Sequence, residues 1–360
     1  MALWKKNEVS VDLASYRHYW RAQMKWGKTT LFANLIRELY NDMSKGLLIS
    51  CFDEKGYKAL EDLVVADCPT WPVLMDVVDE LTSNKEDNDF RLIAFDTVDA
   101  LVMMAQQQVI NIDYRKTGQK HEFNACLGGF GAGRRKVEEL ISNVIARLEA
   151  CGYGLVFIGH VKYKDIKEKN GDSYQMLTSN LNTDYDSIFS NRCDICMMGT
   201  IDKDISDGRV TGTTRHMWFR GDGFVDAGGR FGNIEQKVEL SAENYIEVVT
   251  NAIKASLKNK KDDKYIEDKK RQEREERDAY YQAHKEELSS EEAFEAASEP
   301  VDLAEVAKTL QGQIKDVLSS LDAEEKKAKR AALKSAGLPD TYTKVVDVEV
   351  LKQILATVSE

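Results

Sequence analysis

A strand-like run over residues 16–21 and an apolar helix pattern flank the segment Ala22-Gln23-Met24-Lys25-Trp26-Gly27-Lys28-Thr29-Thr30. A strand, a tight basic loop and a helix opening on Gly-Lys-Thr leave few folds open. This order is the G-x-x-x-x-G-K-[ST] phosphate-binding loop, with Ala22 at the first glycine position. Its backbone N–H groups and the helix N-terminus cradle anionic phosphates. Lys28 is then expected to reach the β/γ-phosphates and the Thr29 hydroxyl to ligate Mg²⁺. Gly27 lets the backbone come close to the phosphate, and Ala22 is accommodated if φ stays below zero there.

Around the loop, short apolar runs at 16–21, 47–52, 92–95, 155–158, 195–198 and 216–219 alternate with helical patterns over the first 250 or so residues. Such alternation predicts an α/β fold with a mostly parallel central sheet. Leu31, Leu35, Ile36 and Leu39 form the buried stripe of the helix after the loop. Beyond Lys254 both charge signs become dense and apolar residues sparse, the pattern of a solvated charged helix or linker. Apolar spacing returns at Leu303, Val306, Leu310, Ile314, Val317, Leu318 and Leu321, and Gly337-Leu338-Pro339 breaks a second helix. Asp347 is placed to cap a last helix carrying Val350, Leu351, Ile354 and Leu355. The expected organisation is a core over 1–253, a charged helical linker over 254–300 and a small all-α module over 301–360.

The 360 residues carry a net charge of −11, so any nucleic-acid contact must use local basic patches. The six cysteines lie mostly in apolar runs, no apolar leader follows Met1, and no run approaches a transmembrane helix in length. Free thiols in a reducing cytosol, with no membrane association, are the expectation.

The other apolar strands deliver polar residues at their C-terminal ends, where ligands sit in open α/β sheets. The run at 47–52 ends in Asp53-Glu54, and Glu54 is placed to orient an attacking water. Leu92-Ile93-Ala94-Phe95 ends in Asp96-Thr97, the Walker B pattern, with Asp96 expected to hold Mg²⁺ through water beside Thr29. Asp99 is placed to start the next helix, and the run at 155–158 ends in Gly159-His160, a polar group able to sense the γ-phosphate.

This series resembles the RecA-like ATPase core and, more closely, the phage RecA-like ATPases of the Sak single-strand-annealing type. The resemblance spans about residues 10–250. It rests on Lys25-Trp26-Gly27-Lys28-Thr29-Thr30, Asp53-Glu54-Lys55-Gly56-Tyr57, Phe95-Asp96-Thr97-Val98-Asp99-Ala100-Leu101 and Gly159-His160-Val161-Lys162, with weaker blocks at 216–220 and 227–231. It implies a RecA-like P-loop core that uses ATP and Mg²⁺ and binds single-stranded DNA in phage recombination or replication, inside an infected bacterial cell. Two long segments are expected as DNA-facing loops. One, 106–135, offers Arg115, Lys116, Lys120, Arg134 and Arg135; the other, 161–184, offers Lys162, Tyr163 and Lys164. Cations interleaved with aromatics suit a single strand. RecA-like cores hydrolyse ATP between subunits, so a homo-oligomer is implied, with Arg220 the first candidate, before Arg215 and Arg230, for an arginine acting in trans. The alternative is a nucleotide-gated adaptor whose C-terminal helices recruit a replication or recombination partner with little turnover; the possible partner of that helical module is a single-strand-binding or replication protein. A small-molecule kinase is disfavoured for want of an arginine-rich lid.

Two further motifs are set aside. Asp53-Glu54-Lys55-Gly56 and Asn84-Lys85-Glu86-Asp87 mimic GTPase signatures, but Asn84 follows a helix tail, not a strand. Cys193-x-x-Cys196 lacks a second ligand pair for zinc.

Overall fold

A computed structural model describes residues 6–52, 55–169, 171–257, 262–289 and, apart from 313, 316, 320, 322, 340, 346 and 347, residues 311–359. The chain forms two compact units, 1–291 and 292–360.

In the first unit β1 (His18–Ala22), α1 (Lys28–Tyr40), β2 (Gly46–Cys51), β3 (Val64–Cys68), α2 (Trp71–Ser83), β4 (Leu92–Asp96), α3 (Val98–Thr117), α4 (Ala132–Ala150) and β5 (Gly154–Gly159) follow in order. After them come β6 (Val161–Lys167), β7 (Ser173–Ser179), α5 (Thr183–Ser190), β8 (Ile195–Ser206), β9 (Arg209–Trp218), β10 (Gly228–Gly229), β11 (Lys237–Glu239), α6 (Ala242–Ser256) and α7 (Asp263–Ser289). The sheet order is β11-β9-β8-β1-β5-β4-β2-β3, with β10 on β8. From β8 to β3 every neighbour is parallel, while β9, β10 and β11 pair antiparallel. The mostly parallel α/β sheet expected from the sequence is therefore present.

Both sheet faces are covered, which is why its strands lack polar alternation. Tyr19, Ile49, Phe95 and Phe157 point to one core, shared with α2, α3, α4 and α5. Trp20, Leu48, Ala94 and Val156 point to the other, with Leu31, Phe32, Leu35 and Ile36 of α1 and Tyr245, Val248 and Val249 of α6. Deep in this second core, β1 is locked by a hydrogen-bonded chain. Tyr245 Oη lies 2.7 Å from His18 Nδ1, His18 Nε2 lies 3.1 Å from the Leu13 carbonyl, and Trp20 Nε1 donates to Tyr245 Oη at 2.9 Å. One assignment satisfies every atom: neutral His18 donates from Nε2 and accepts at Nδ1. Burial holds its pKa down at about 4.

The charged segment after Lys254 is not a solvated linker where it is described. Ile266 of α7 joins the second core and Tyr281 the first. Between them, Glu273 accepts from Ser10 Oγ at 2.6 Å and from the Val11 and Asp12 N–H groups at 3.1 Å. Arg274 and Arg277 bind buried Asp12 at 3.1 and 2.5 Å. Asp278 meets Lys85 and Arg91 just ahead of β4. Burial pushes the Asp12 carboxyl up, but the two guanidiniums outweigh it and leave its pKa below the usual value. These partners precede β1 and β4, so α7 straps the amino ends of the strands, opposite the phosphate loop.

In the second unit α8 (Ala323–Ser335) and α9 (Val348–Ser359) enclose Ile314, Leu333, Leu351, Ile354 and Val358. The expected break stands at Gly337, with φ of 70°. Asp347, Leu303, Val306 and Leu310 lie outside the described residues.

Candidate nucleotide site

β1 sits between β5 and β8, and the chain leaves it over α1 towards β2 on one side, while β5 leads on to β8 on the other. The phosphate loop therefore opens at a topological switch point, where open α/β sheets bind ligands. Gly27 caps α1 with φ of 114° and Lys25 has φ of 61°. Ala22 ends β1 in extended backbone outside the positive-φ residues, so the missing glycine does not distort the loop. Lys28 is buried at the first position of α1, its ammonium donating to the Ala22 and Gln23 carbonyls at 3.0 and 3.2 Å. The Thr29 hydroxyl donates to Asp96 Oδ2 at 2.7 Å, and a Cβ added to Gly56 would lie 3.4 Å from that hydroxyl. Thr29 and Asp96, far apart in sequence, thus meet beside the N-terminus of α1 as expected. Glu54, with Asp53, lies outside the described residues.

The loop residues divide their work. Met24 is exposed and Trp26 is fully buried. Trp26 donates from Nε1 to the Thr200 carbonyl at 2.9 Å, and its indole lies against Gly199, where a Cβ would come within 2.4 Å of Cε2. The backbone N–H of Trp26 bonds to the Gln23 carbonyl. Its contribution is to fix the loop on β8. Gln23, Met24, Lys25 and Thr30 line the same turn and first helical positions.

His160 follows β5 and is gripped from the other side of the site. Asp99, in the first turn of α3, accepts from the His160 N–H at 2.8 Å and from Asn180 Nδ2 at 3.0 Å, with His160 Nδ1 3.4 Å away. Burial pushes Asp99 up, but the bonds from the His160 side chain, the His160 N–H and Asn180 together leave its pKa below the usual carboxylate value. His160 and Asn180 flank the β6–β7 hairpin, so one carboxylate holds both of its feet. Sequence reasoning placed Asp99 only at a helix start and gave Asn180 no role; a carboxylate three residues after a Walker B aspartate was the available signal.

Neither expected DNA-facing segment is one long loop. Residues 106–117 belong to α3 and 132–135 to α4, while 161–184 is the β6–β7 hairpin and the start of α5. The hairpin gave no strand signal because charged and apolar residues are mixed on both its faces, leaving no apolar run. Arg115 and Lys116 are exposed in the last turn of α3, where cations complement the helix dipole, and Lys120 is exposed just beyond it. Arg134 pairs with Asp184 at 3.2 Å and Arg135 donates to the Phe130 carbonyl at 3.3 Å. Lys162 donates to the Asn180 carbonyl at 2.8 Å, and Tyr163 and Lys164 are exposed. Arg220 is exposed too. Met198 pairs with both Arg21 and Trp218, so the chain past Trp218 runs towards the amino end of β1. Arg220 is therefore not brought to Lys28 within one chain. Arg230 pairs with Asp194.

Residues 14–231 match the family model of the AAA domain. The chain belongs to the AAA domain family. Its fold is that of a P-loop NTPase, and the match takes in the loop, Asp96, His160 and the hairpin. No curated protein matches the chain. α6 and α7 lie beyond the matched span of the AAA domain, yet they complete its second core and strap its strands. Asn84 caps the end of α2 and does not follow a strand. Cys193 and Cys196 are buried free thiols, and no cluster of three or more His, Cys, Asp or Glu able to hold a metal occurs among the described residues. No helix among them is long and apolar enough to cross a membrane.

Proposed function

We propose that this AAA domain is a Mg²⁺-dependent ATPase whose nucleotide state controls binding of single-stranded DNA, in the manner of the phage recombination ATPases it resembles. The 2.7 Å contact between Thr29 and Asp96 carries the reading. A hydroxyl and a carboxylate converging beside a helix N-terminus are the hard oxygen ligands that suit Mg²⁺ next to phosphates. When bound, that ion neutralises charge on the β- and γ-phosphates. Lys28 exchanges the loop carbonyls for phosphate oxygens, the α1 N-terminus binds phosphate through its amides, and Glu54 orients the attacking water. Arg220 of a neighbouring copy is the candidate cation in trans, which makes a homo-oligomer part of the proposal. Loss of the γ-phosphate is felt at His160 and passed through Asp99 and Asn180 to the hairpin that carries Lys162, Tyr163 and Lys164. The exposed cations Arg115, Lys116, Lys120, Arg134 and Arg135 add phosphate contacts. The separate helical unit at the C-terminus is a docking module for a single-strand-binding or replication protein.

Phosphate release from ATP, with and without single-stranded DNA, tests the proposal. The expected result is DNA-stimulated release that vanishes in Lys28→Ala. Tight ATP binding with no turnover would move the chain to the nucleotide-gated adaptor class.

A further inference from the structure

We infer that the turn at 127–131 is a stacking platform for single-stranded nucleic acid, with the Phe130 ring as the surface on which a base lies; this rests on the nucleic-acid reading above. Five successive residues there adopt left-handed backbone: Leu127 at 57°, Gly128 at 88°, Gly129 at 76°, Phe130 at 50° and Gly131 at 78°. The glycines take it freely, and side-chain-bearing residues do not. Leu127 recovers the cost by packing against the first core, and its N–H donates to Asp113 at 2.8 Å. Phe130 gains one contact, at its carbonyl, and keeps its side chain in solvent. Its ring is 90% exposed, more than any other large apolar side chain among the described residues.

The turn is held in place. Arg135 donates to the Phe130 carbonyl, and Gly131 caps α4, whose first turn carries Arg134 and Arg135 and no acid, while Lys136 just after it is paired with Glu139. The Arg134–Asp184 pair is more than half exposed on both sides and is easily exchanged for a phosphate. In a chain of net charge −11, a bare aromatic ring beside two exposed arginines, Arg134 and Arg135, matches a ligand with both a π-face and negative charge. A base stacks on the ring while its phosphates meet the cations.

The test measures binding of the full-length chain to a labelled oligo-dT and to an abasic oligonucleotide of equal length, by fluorescence anisotropy across a salt series. Phe130→Gly removes the ring and keeps the backbone conformation; Phe130→Trp restores a ring. The wild type is expected to prefer oligo-dT to the abasic strand. Phe130→Gly should lose at least about fivefold on oligo-dT, little on the abasic strand, with an unchanged salt slope, and Phe130→Trp should regain it. If the wild type binds and Phe130→Gly binds oligo-dT equally well, the platform is refuted while DNA binding stands. If the wild type binds neither strand, the nucleic-acid reading fails and takes the platform with it. If Phe130→Gly keeps its preference for oligo-dT but changes the oligomer distribution without DNA, the ring is a contact between copies and the proposal is overturned.

Discussion

Acidification should weaken the AAA domain through His18 before Asp12 and Asp99 respond. Protonating His18 in the native state requires breaking the Tyr245 bond at Nδ1 inside a dry core. Its folded pKa is about 4, against an ordinary 6.5. The unfolded chain therefore takes up the proton first. Stability is full above about pH 6.5 and falls as pH drops towards 4, where the folded form titrates as well. The whole window is worth about 3 kcal/mol, and about 2.5 kcal/mol is gone by pH 4.5, a slope approaching 1.4 kcal/mol per pH unit. Asp12 and Asp99, both held below the ordinary carboxylate value, lose their contribution only at lower pH, below about 4, so the two effects separate. Urea unfolding followed by tryptophan fluorescence reads the first unit alone, because all five tryptophans precede residue 292. His18→Asn should be less stable at pH 7.5 but should lose about one proton of pH dependence between 6.5 and 4.5. An identical slope in variant and wild type, or a flat wild-type profile over that range, would refute the assignment of His18 as a buried neutral imidazole.

Substitutions at two other positions probe the frame around the site. Gly199→Ala places a methyl within 2.4 Å of Trp26 and 2.7 Å of Ala22; overpacking of that kind costs about 1–3 kcal/mol. It should also weaken ATP binding severalfold in a fluorescence titration, although residue 199 is not placed on phosphate. Tyr281→Ala removes a buried ring from the strap and its 2.9 Å bond to the Thr82 carbonyl, at a cost of about 3–5 kcal/mol. Tyr281→Phe should cost only about 1 kcal/mol, and thermal melting of the pair checks both.

The parts of the site legible in the sequence were those built from local order. Gly27-Lys28-Thr29 announces itself through spacing, and Asp96 through four apolar residues ahead of it. Their 2.7 Å meeting follows once both lie at carboxyl ends of one parallel sheet. What stayed hidden depends on partners distant in sequence. β3 is a short edge strand carrying Asp67 and only partly buried, so it lacks the apolar run of its neighbours. α7 has a mean composition that suits solvent, and its docking rests on two widely spaced anchors, Ile266 and Tyr281, and on charges matched by residues some 260 positions away. His18 looked like an ordinary strand residue because its acceptor, Leu13, and its donor, Tyr245, lie on elements whose packing no periodicity reveals. The left-handed turn that presents Phe130 was hinted at by Gly128-Gly129 and Gly131, but glycine spacing alone does not tell a displayed ring from a buried one.

The proposed hold of Thr29 and Asp96 on Mg²⁺, against a nucleotide cradled by the phosphate loop, can be read from calorimetric titration of ATP into wild type and Thr29→Val, each with Mg²⁺ and with EDTA. Wild type should bind ATP at least tenfold more weakly in EDTA, and Thr29→Val should show the same weakening with Mg²⁺ present, at an unchanged melting temperature. Equal ATP affinity for Thr29→Val and wild type in Mg²⁺ would contradict it.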